Sequence, residues 1–305
     1  MADDEEEQPE RGDAEGEGEG EEAEQPPTRE LTLDMLARAL RRVAPLGPTA
    51  ALVQLDLSGR GLTSLPGLGA CVHVRELVLA RNALTSVSEV AALHGLLALD
   101  VSENLLASID DVCAPLRELQ RLRAGGNRLR AAPQTLAAGV ESVLFELDLS
   151  ANSLVSTAGI EGLVALRTLR LAANSSLASI GELGELPALR ELDVSGTALD
   201  AFDALRPLGA ARALRALSLA GAPVAETADD FKKQLLLLVP ALETLDGEAV
   251  EWADKADALE WQAERLRAER EAAEAEAAAR AEAEAEEAAA RKAAEAEAAE
   301  AAEAA

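Results

Sequence analysis

Leu147-Asp-Leu-Ser-Ala-Asn152 is one of eight statements of a single phrase, and its repetition decides the fold. The others are Leu55-Asp-Leu-Ser, Leu77-Val-Leu-Ala-Arg-Asn82, Leu99-Asp-Val-Ser-Glu-Asn104, Leu122-Arg-Ala-Gly-Gly-Asn127, Leu169-Arg-Leu-Ala-Ala-Asn174, Leu192-Asp-Val-Ser-Gly-Thr197 and Leu217-Ser-Leu-Ala-Gly-Ala222. Counting the apolar residue three positions earlier, the units open at Leu52, Val74, Leu96, Leu119, Leu144, Leu166, Leu189 and Leu214, 22 to 25 residues apart. Leucines alternating with other residues have the period of a strand, and strands returning at constant spacing stack into one parallel sheet. Such a stack presents surface rather than enclosing a pocket, so the functional question becomes what it binds.

Asn82, Asn104, Asn127, Asn152 and Asn174 fall at equivalent corners. An amide there can bond the backbone of the neighbouring coil and turn a sharp bend without stranding buried polar groups. Arg60, Thr197 and Ala222 interrupt this ladder in the first, seventh and eighth units, where edge repeats are commonly irregular. The second half of each unit, such as Leu62-Thr-Ser-Leu65 or Ile180-Gly-Glu-Leu183, carries apolar residues at three- to four-residue intervals and predicts short 3₁₀ or single-turn helices. The pattern L-x-x-L-x-L-x-x-N therefore predicts an α/β leucine-rich-repeat solenoid with its parallel sheet concave and its turns convex, followed by a C-terminal cap and a long charged helix.

Four segments follow. Residues 1–30 form an acidic head in which Glu and Gly alternate from Glu15 to Glu22, too poor in apolar area to order itself. Residues 31–51 predict a capping helix and linker, with Thr32 as N-cap, Leu33, Leu36, Leu40 and Val43 on one face, and Pro45 and Pro48 ending it. The solenoid and its cap run over residues 52–247; near the end Thr227 is the expected N-cap of a helix reaching Val239, with Phe231, Leu235 and Leu238 as its apolar face. Residues 248–305 are Ala, Glu and Arg with few breakers. There Trp252, Leu259 and Leu266 recur at seven, with Ala256 and Ala263 between, and beyond Arg270 no apolar residue is larger than Ala.

Aromatic residues are only 2 % of the chain and Tyr is absent, so the interior must be Leu, Val and Ala, which suits a regular solenoid better than a globular enzyme core. The net charge of −28 sits mostly at the ends. Residues 1–30 hold fourteen Asp or Glu against two Arg, and residues 271–305 eleven Glu against three Arg or Lys, which leaves −8 for everything between. No basic cluster able to neutralise phosphates is present, so no direct nucleic-acid partner is expected. No apolar leader or membrane-length apolar run is present either, and the reading is a soluble protein of the reducing cytoplasm. Cys71 and Cys113 occupy corresponding later halves of two units and read as buried thiols. His73 and His94 precede successive strands without a nucleophile or carboxylate at a telling distance, so no catalytic set, cofactor, metal or small-molecule substrate is expected.

Residues flanking the strand leucines should point out of the concave face. The candidate partner contacts there are Arg81, Asp100, Glu103, Arg121, Arg123, Glu146, Asp148, Arg170, Glu191 and Asp193. Acidic strips alternate with an island at Arg121 and Arg123, extended round the corner by Arg128 and Arg130. Two readings stay open: neighbouring strands neutralise one another, or the arginine island centres a protein interface with no aromatic competing for that role. A second candidate surface is Trp252, Leu259 and Leu266 with Trp261 nearby, which either packs on the chain's own cap or docks on a partner.

The units, together with Ala220-Gly-Ala-Pro223, Phe231-Lys232, Val239-Pro240-Ala-Leu242 and Leu245-Asp246, resemble the short leucine-rich repeats of the phosphatase-regulatory repeat protein, the axonemal dynein light chain and the U2 spliceosomal repeat protein. Ala222 stands where that class usually has Asn, and Phe231-Lys232 where its cap usually has Tyr-Arg. Within the class the chain most resembles the leucine-rich-repeat protein of ciliary radial spokes. The shared features are a glutamate-rich head leading into Leu31-Thr-Leu-Asp34-Met35-Leu, the phrase Gly126-Asn127-Arg128-Leu129-Arg130-Ala131, and a charged helix running on from the cap. The resemblance implies a non-catalytic subunit of the ciliary or flagellar axoneme that binds other spoke proteins and needs no cofactor. The alternative it leaves is a regulatory subunit clasping a protein phosphatase catalytic subunit.

Overall fold

In a computed structural model the described residues are 28–45, 51–136, 143–227 and 230–303. Most of the expected acidic head, residues 1–27, lies outside them. Eleven strands pair in chain order into one sheet: β1 (Leu40–Pro45), β2 (Ala51–Asp56), β3 (Val74–Val78), β4 (Ala98–Asp100), β5 (Arg121–Arg123), β6 (Glu146–Asp148), β7 (Thr168–Arg170), β8 (Glu191–Asp193), β9 (Ala216–Ser218), β10 (Thr244–Leu245) and β11 (Glu248–Ala249). From β2 to β10 every pairing is parallel. The register carries Leu55, Leu77, Leu99, Leu122, Leu147, Leu169, Leu192 and Leu217 across the sheet in one row, all buried. The short convex elements are 3₁₀ turns at Leu68–Ala70, Ser88–Ala92, Gln134–Leu136, Gly181–Glu185 and Phe202–Ala210, and one α-helical turn, α2 (Asp110–Cys113). The solenoid expected from the repeat is the observed fold.

Both ends of the sheet differ from expectation in the same way. The N-terminal helix, α1 (Leu33–Ala39), is shorter than predicted. Thr32 does cap it, its Oγ1 accepting from the Met35 amide at 3.3 Å. Leu40 and Val43, however, belong to β1, which lies antiparallel on β2, while Leu33 is exposed and Leu31, Leu36 and Ala39 supply the buried contacts. At the other end β11 turns back antiparallel on β10 through Asp246 and Gly247. A parallel stack leaves an open row of N–H and C=O groups at each edge. A reversed strand covers that row, and periodicity within the repeats carries no trace of it.

The terminal lid is also rearranged. Thr227 ends a short α3 (Val224–Thr227) instead of starting the long helix, and Asp230 precedes α4 (Phe231–Leu238). Leu235 and Leu236 are buried, and the Phe231 ring meets Phe202 edge-on at 6.1 Å between centroids. α5 (Trp252–Glu303) then runs on for 52 residues. No helix among the described residues is long and apolar enough to cross a membrane.

The corners explain how the coils stay in step. Asn152 Oδ1 accepts from the Leu129 amide of the preceding coil at 3.0 Å, while Nδ2 donates to Ala124 O of that coil at 3.0 Å and to Leu149 O of its own at 2.9 Å. Asn82, Asn104, Asn127 and Asn174 make the equivalent bonds. The residue before each ladder position has a positive φ in all eight units: Gly59, Arg81, Glu103, Gly126, Ala151, Ala173, Gly196 and Gly221. A side chain in that left-handed conformation costs roughly 1–2 kcal/mol. Glycine stands in all three units that lack the asparagine, before Arg60, Thr197 and Ala222. Where the amide clamps the corner the strain is tolerated, and where it is missing the strain is removed.

Candidate interaction surface

The strand residues between and beside the leucines form two columns on the concave face. One column reads Gln54, Glu76, Ala98, Arg121, Glu146, Thr168, Glu191, Ala216; the other reads Asp56, Val78, Asp100, Arg123, Asp148, Arg170, Asp193, Ser218. The two columns hold seven carboxylates and three guanidinium groups, a surplus of four negative charges.

All three arginines are engaged within the sheet. Arg121 reaches across β4, where the opposing residue is only Ala98, and donates to Glu76 Oε1 at 2.8 Å. Arg123 donates through Nε and Nη2 to Glu146 Oε1 at 3.1 and 2.9 Å, and Arg170 reaches the same oxygen at 3.2 Å. The arginine island is therefore ion-paired with its neighbours. Arg128 and Arg130 lie exposed round the corner.

Glu146 is the best-held acid of the face. Burial pulls its carboxyl pKa up, yet hydrogen bonds and charge from Arg123, then Arg170, outweigh that and leave it below its ordinary value of 4.5. The same contact raises the Arg123 guanidinium, its hydrogen bond to Glu146 leading. A carboxyl lowered by folding stabilises the fold above its ordinary pKa, and the gain is lost as pH falls through the lowered value. Glu146→Gln is accordingly expected to lower stability at neutral pH, with the difference shrinking as pH drops below 4.5. Because the Arg123 and Arg170 side chains are 48 % and 40 % exposed, the neutral-pH loss should be about 1 kcal/mol. Urea melts of both proteins across the pH range read this directly.

Asp100, Asp148 and Asp193 have a local task that the outward-facing pattern did not reveal. Each accepts from the backbone amide two residues on, at Ser102, Ser150 and Ser195, at 3.0 Å, as Asp56 does from Ser58. The signal was the recurring Asp-x-Ser, an Asx turn that starts the corner. Glu191 accepts from Thr168 Oγ1 at 3.2 Å, and among the described residues neither it nor Asp193 forms a salt bridge. β8 is thus the strand that carries a carboxylate in both columns with no salt bridge to either among the described residues. Arg81 and Glu103 are corrections: they are not strand residues but the left-handed corner residues of their units, ion-paired with each other at 3.2 Å.

The helix stripe divides between the lid and the exposed face of α5. α5 meets the lid through Ala258, buried, through Lys255 donating to Pro240 O at 2.9 Å, through Asp254 on Lys232 at 2.7 Å, and through Trp261, whose Nε1 donates to Asp230 Oδ2 at 2.8 Å. Arg265 lies 5.5 Å from the Trp261 ring centroid. Trp252 and Leu259 do not join this contact and are 83 % and 61 % exposed, while Leu266, 48 % exposed, borders the groove between α5 and Gln234 and Leu237 of α4. Elsewhere, burial raises the thiol pKa of Cys71, and burial with Asp110 raises that of Cys113, so neither is a ready nucleophile. Among the described residues no three His, Cys, Asp or Glu gather as a metal site.

Residues 72–129 match the leucine-rich repeat family. The solenoid is a leucine-rich-repeat fold. An internalin (inlF) from Listeria monocytogenes superposes with a TM-score of 0.54 and 18 % identity, over 71 % of this chain and 64 % of its own. Internalin C2 from the same organism gives 0.54 and 20 % identity, over 63 % and 79 %. The likeness is one of fold, and the chain spans about 64 % of the length of the inlF internalin. No curated protein sequence matches the chain. Leucine-rich repeats serve as protein-interaction scaffolds, and the open ribbon described here has the geometry for that role.

Proposed function

We propose that the chain is a non-catalytic interaction scaffold and, more narrowly, a structural subunit of the radial spoke in motile cilia and flagella. The observation that carries the scaffold reading is the concave ribbon itself: nine parallel strands whose outward side chains are ion-paired or turn-forming, with an acidic surplus at Glu191 and Asp193. Such a face suits a partner surface rich in Lys and Arg, since complementary charge sets register and speeds encounter. The spoke reading is supported by the resemblance at residues 31–36 and 126–131 and by the 52-residue α5, which projects from the cap as a charged rod. Direct attachment to the microtubule is disfavoured, because tubulin is itself acidic and this chain carries −28.

Cross-linking mass spectrometry on isolated axonemes tests the reading. Cross-links from α5 and the concave strands to radial spoke subunits are expected; absence from the axoneme, or a phosphatase catalytic subunit as the main partner, overturns it. At the level of residues, Glu191→Lys with Asp193→Lys should weaken capture of a spoke subunit roughly tenfold or more, whereas Arg128→Glu, outside the sheet, should leave it unchanged. Equal capture by all three proteins would remove the concave face from the account.

A further inference from the structure

Three arginines far apart in sequence come side by side at the edge where the strands begin. Thr168, Glu191 and Ala216 are in register across β7, β8 and β9, so the residues before them, Arg167, Arg190 and Arg215, stand in one row. The Arg190 amide donates to Arg167 O and the Arg215 amide to Arg190 O, both at 2.8 Å. Phe145 precedes the row and Glu243 ends it, the Arg167 amide donating to Phe145 O at 2.9 Å and the Glu243 amide to Arg215 O at 2.7 Å. Strands about 4.8 Å apart root the three cationic side chains within about 10 Å of one another. They do so in a chain of net charge −28.

Like charges at facing strand positions oppose folding, and the chain offsets little of that cost here. Arg215 meets Glu243 at 3.4 Å. Arg167 and Arg190 are exposed and form no ion pair or side-chain hydrogen bond among the described residues. Glu161, in the turn leading to β7, accepts from the Gly159 amide instead. The three arginines of the concave columns, by contrast, are all ion-paired. The start of the row is apolar. Phe145 is half-buried, and Val143, two residues earlier, is 43 % exposed. Ala165 is the register counterpart of Val143, so Val164, 55 % exposed, borders the same edge. An apolar step followed by free guanidinium groups is complementary to an apolar side chain followed by carboxylates, which arginine binds in a planar, two-pronged geometry.

We propose that this edge docks a segment of a partner protein that carries a large apolar side chain beside a short run of Asp or Glu. The apolar side chain rests on Phe145 and Val164, and the carboxylates pair with Arg167 and Arg190. The chain's own acidic ends do not supply such a segment. Residues 1–27 contain no Leu, Ile, Val, Phe or Trp, and beyond Arg270 no apolar residue is larger than Ala. The net charge repels an extended acidic surface at long range, whereas contacts to a short segment act inside a screening length of about 8 Å. The edge lies beside the concave columns, and the inference rests on neither the spoke reading nor the basic partner proposed for that face.

Fluorescence anisotropy of the full chain with a labelled peptide, Leu followed by a run of Glu, tests it at physiological salt. Arg167→Glu with Arg190→Glu should weaken binding roughly tenfold or more, and Arg167→Gln with Arg190→Gln should weaken it in the same direction. Arg128→Glu with Arg130→Glu, the same charge change away from the row, should alter it by less than about twofold. Val164→Ser, or Ala for Leu in the peptide, should each cause a measurable loss. Glu15→Gln, Glu17→Gln, Glu19→Gln, Glu21→Gln and Glu22→Gln together should leave affinity within about twofold. Glu191→Lys with Asp193→Lys, which disables the concave face, should not weaken the peptide, so the two proposals fail separately. No binding, equal losses from the two arginine pairs, or indifference to the leucine would overturn the proposal. So would a gain on neutralising residues 15–22 as large as the loss at the row, which would make the chain's own acidic head the occupant.

Discussion

Asn152→Ala should lower the unfolding free energy by about 3 kcal/mol or more, a larger loss than any single substitution on the concave face. The amide of Asn152 serves the Leu129 N–H, Ala124 O and Leu149 O at once, and the residue is only 8 % exposed. Alanine removes all three bonds and leaves buried backbone groups with nowhere to turn, at about 1–3 kcal/mol for each group that water cannot reach. It also leaves Ala151 in the left-handed region without the clamp that holds it there. Asn152→Asp should be no better, because a carboxylate cannot donate to either carbonyl and adds a buried charge.

The comparison within the ladder makes the test sharp. At the seventh corner Thr197 makes one such bond, from its Oγ1 to Val194 O at 2.7 Å, and Gly196 precedes it, so Thr197→Ala should cost nearer 1 kcal/mol. At the eighth, Ala222 makes none and Gly221 precedes it, which is the arrangement Asn152→Ala would create without the glycine. Denaturant midpoints should therefore fall in the order Asn152, then Thr197. Equal losses at the two positions would mean that the corners are held by leucine packing and that the amides are incidental. Restoring part of the Asn152→Ala loss with Ala151→Gly would tie strain and clamp together.

The strands, the buried leucine row and the asparagine corners were legible in the sequence because the first two repeat eight times and the third five, and one physical explanation serves every copy. What was not legible occurs once. β1 and β11 are reversed strands that exist to cover an edge, and Leu40 and Val43 fit a helical face as well as they fit a strand. Thr227 has the chemistry of an N-cap, but the chain turns twice there, not once. Gly184 shows the same limit at the level of one atom: a Cβ there would sit 2.6 Å from Pro207 O, so the glycine is needed where two convex 3₁₀ segments meet, a contact between units that no spacing within a unit encodes. On the functional face, the outward direction of Arg121, Arg123 and Glu146 followed from period two, whereas their diagonal pairing depends on register and on the small size of Ala98. The heptad on α5 was visible from residue types alone, and only the position of the lid showed that Trp252 and Leu259 stay outside its contact while Leu266 borders it.

A solenoid also fails differently from a globule, and Leu147→Ala should show it. Leu147 is fully buried at the middle of the leucine row, between Leu122 and Leu169. Truncation to alanine leaves a cavity that rigid neighbouring coils cannot fill, at about 2–5 kcal/mol. In a compact domain such a loss lowers one midpoint. Here each coil touches only the coils beside it, so stability is close to a sum of unit and nearest-neighbour terms. A weakened central interface should let the N-terminal units, capped by α1 and β1, and the C-terminal units, capped by α4, β11 and α5, unfold separately. The expected readout is a shallower or two-step urea transition for Leu147→Ala, with reduced dependence on denaturant at each step. Leu36→Ala, in the N-terminal cap, should instead shift the first part of the curve and leave the later part in place. A single transition of unchanged slope for the central variant would mean that the eight coils unfold as one cooperative block, with coupling well beyond nearest neighbours.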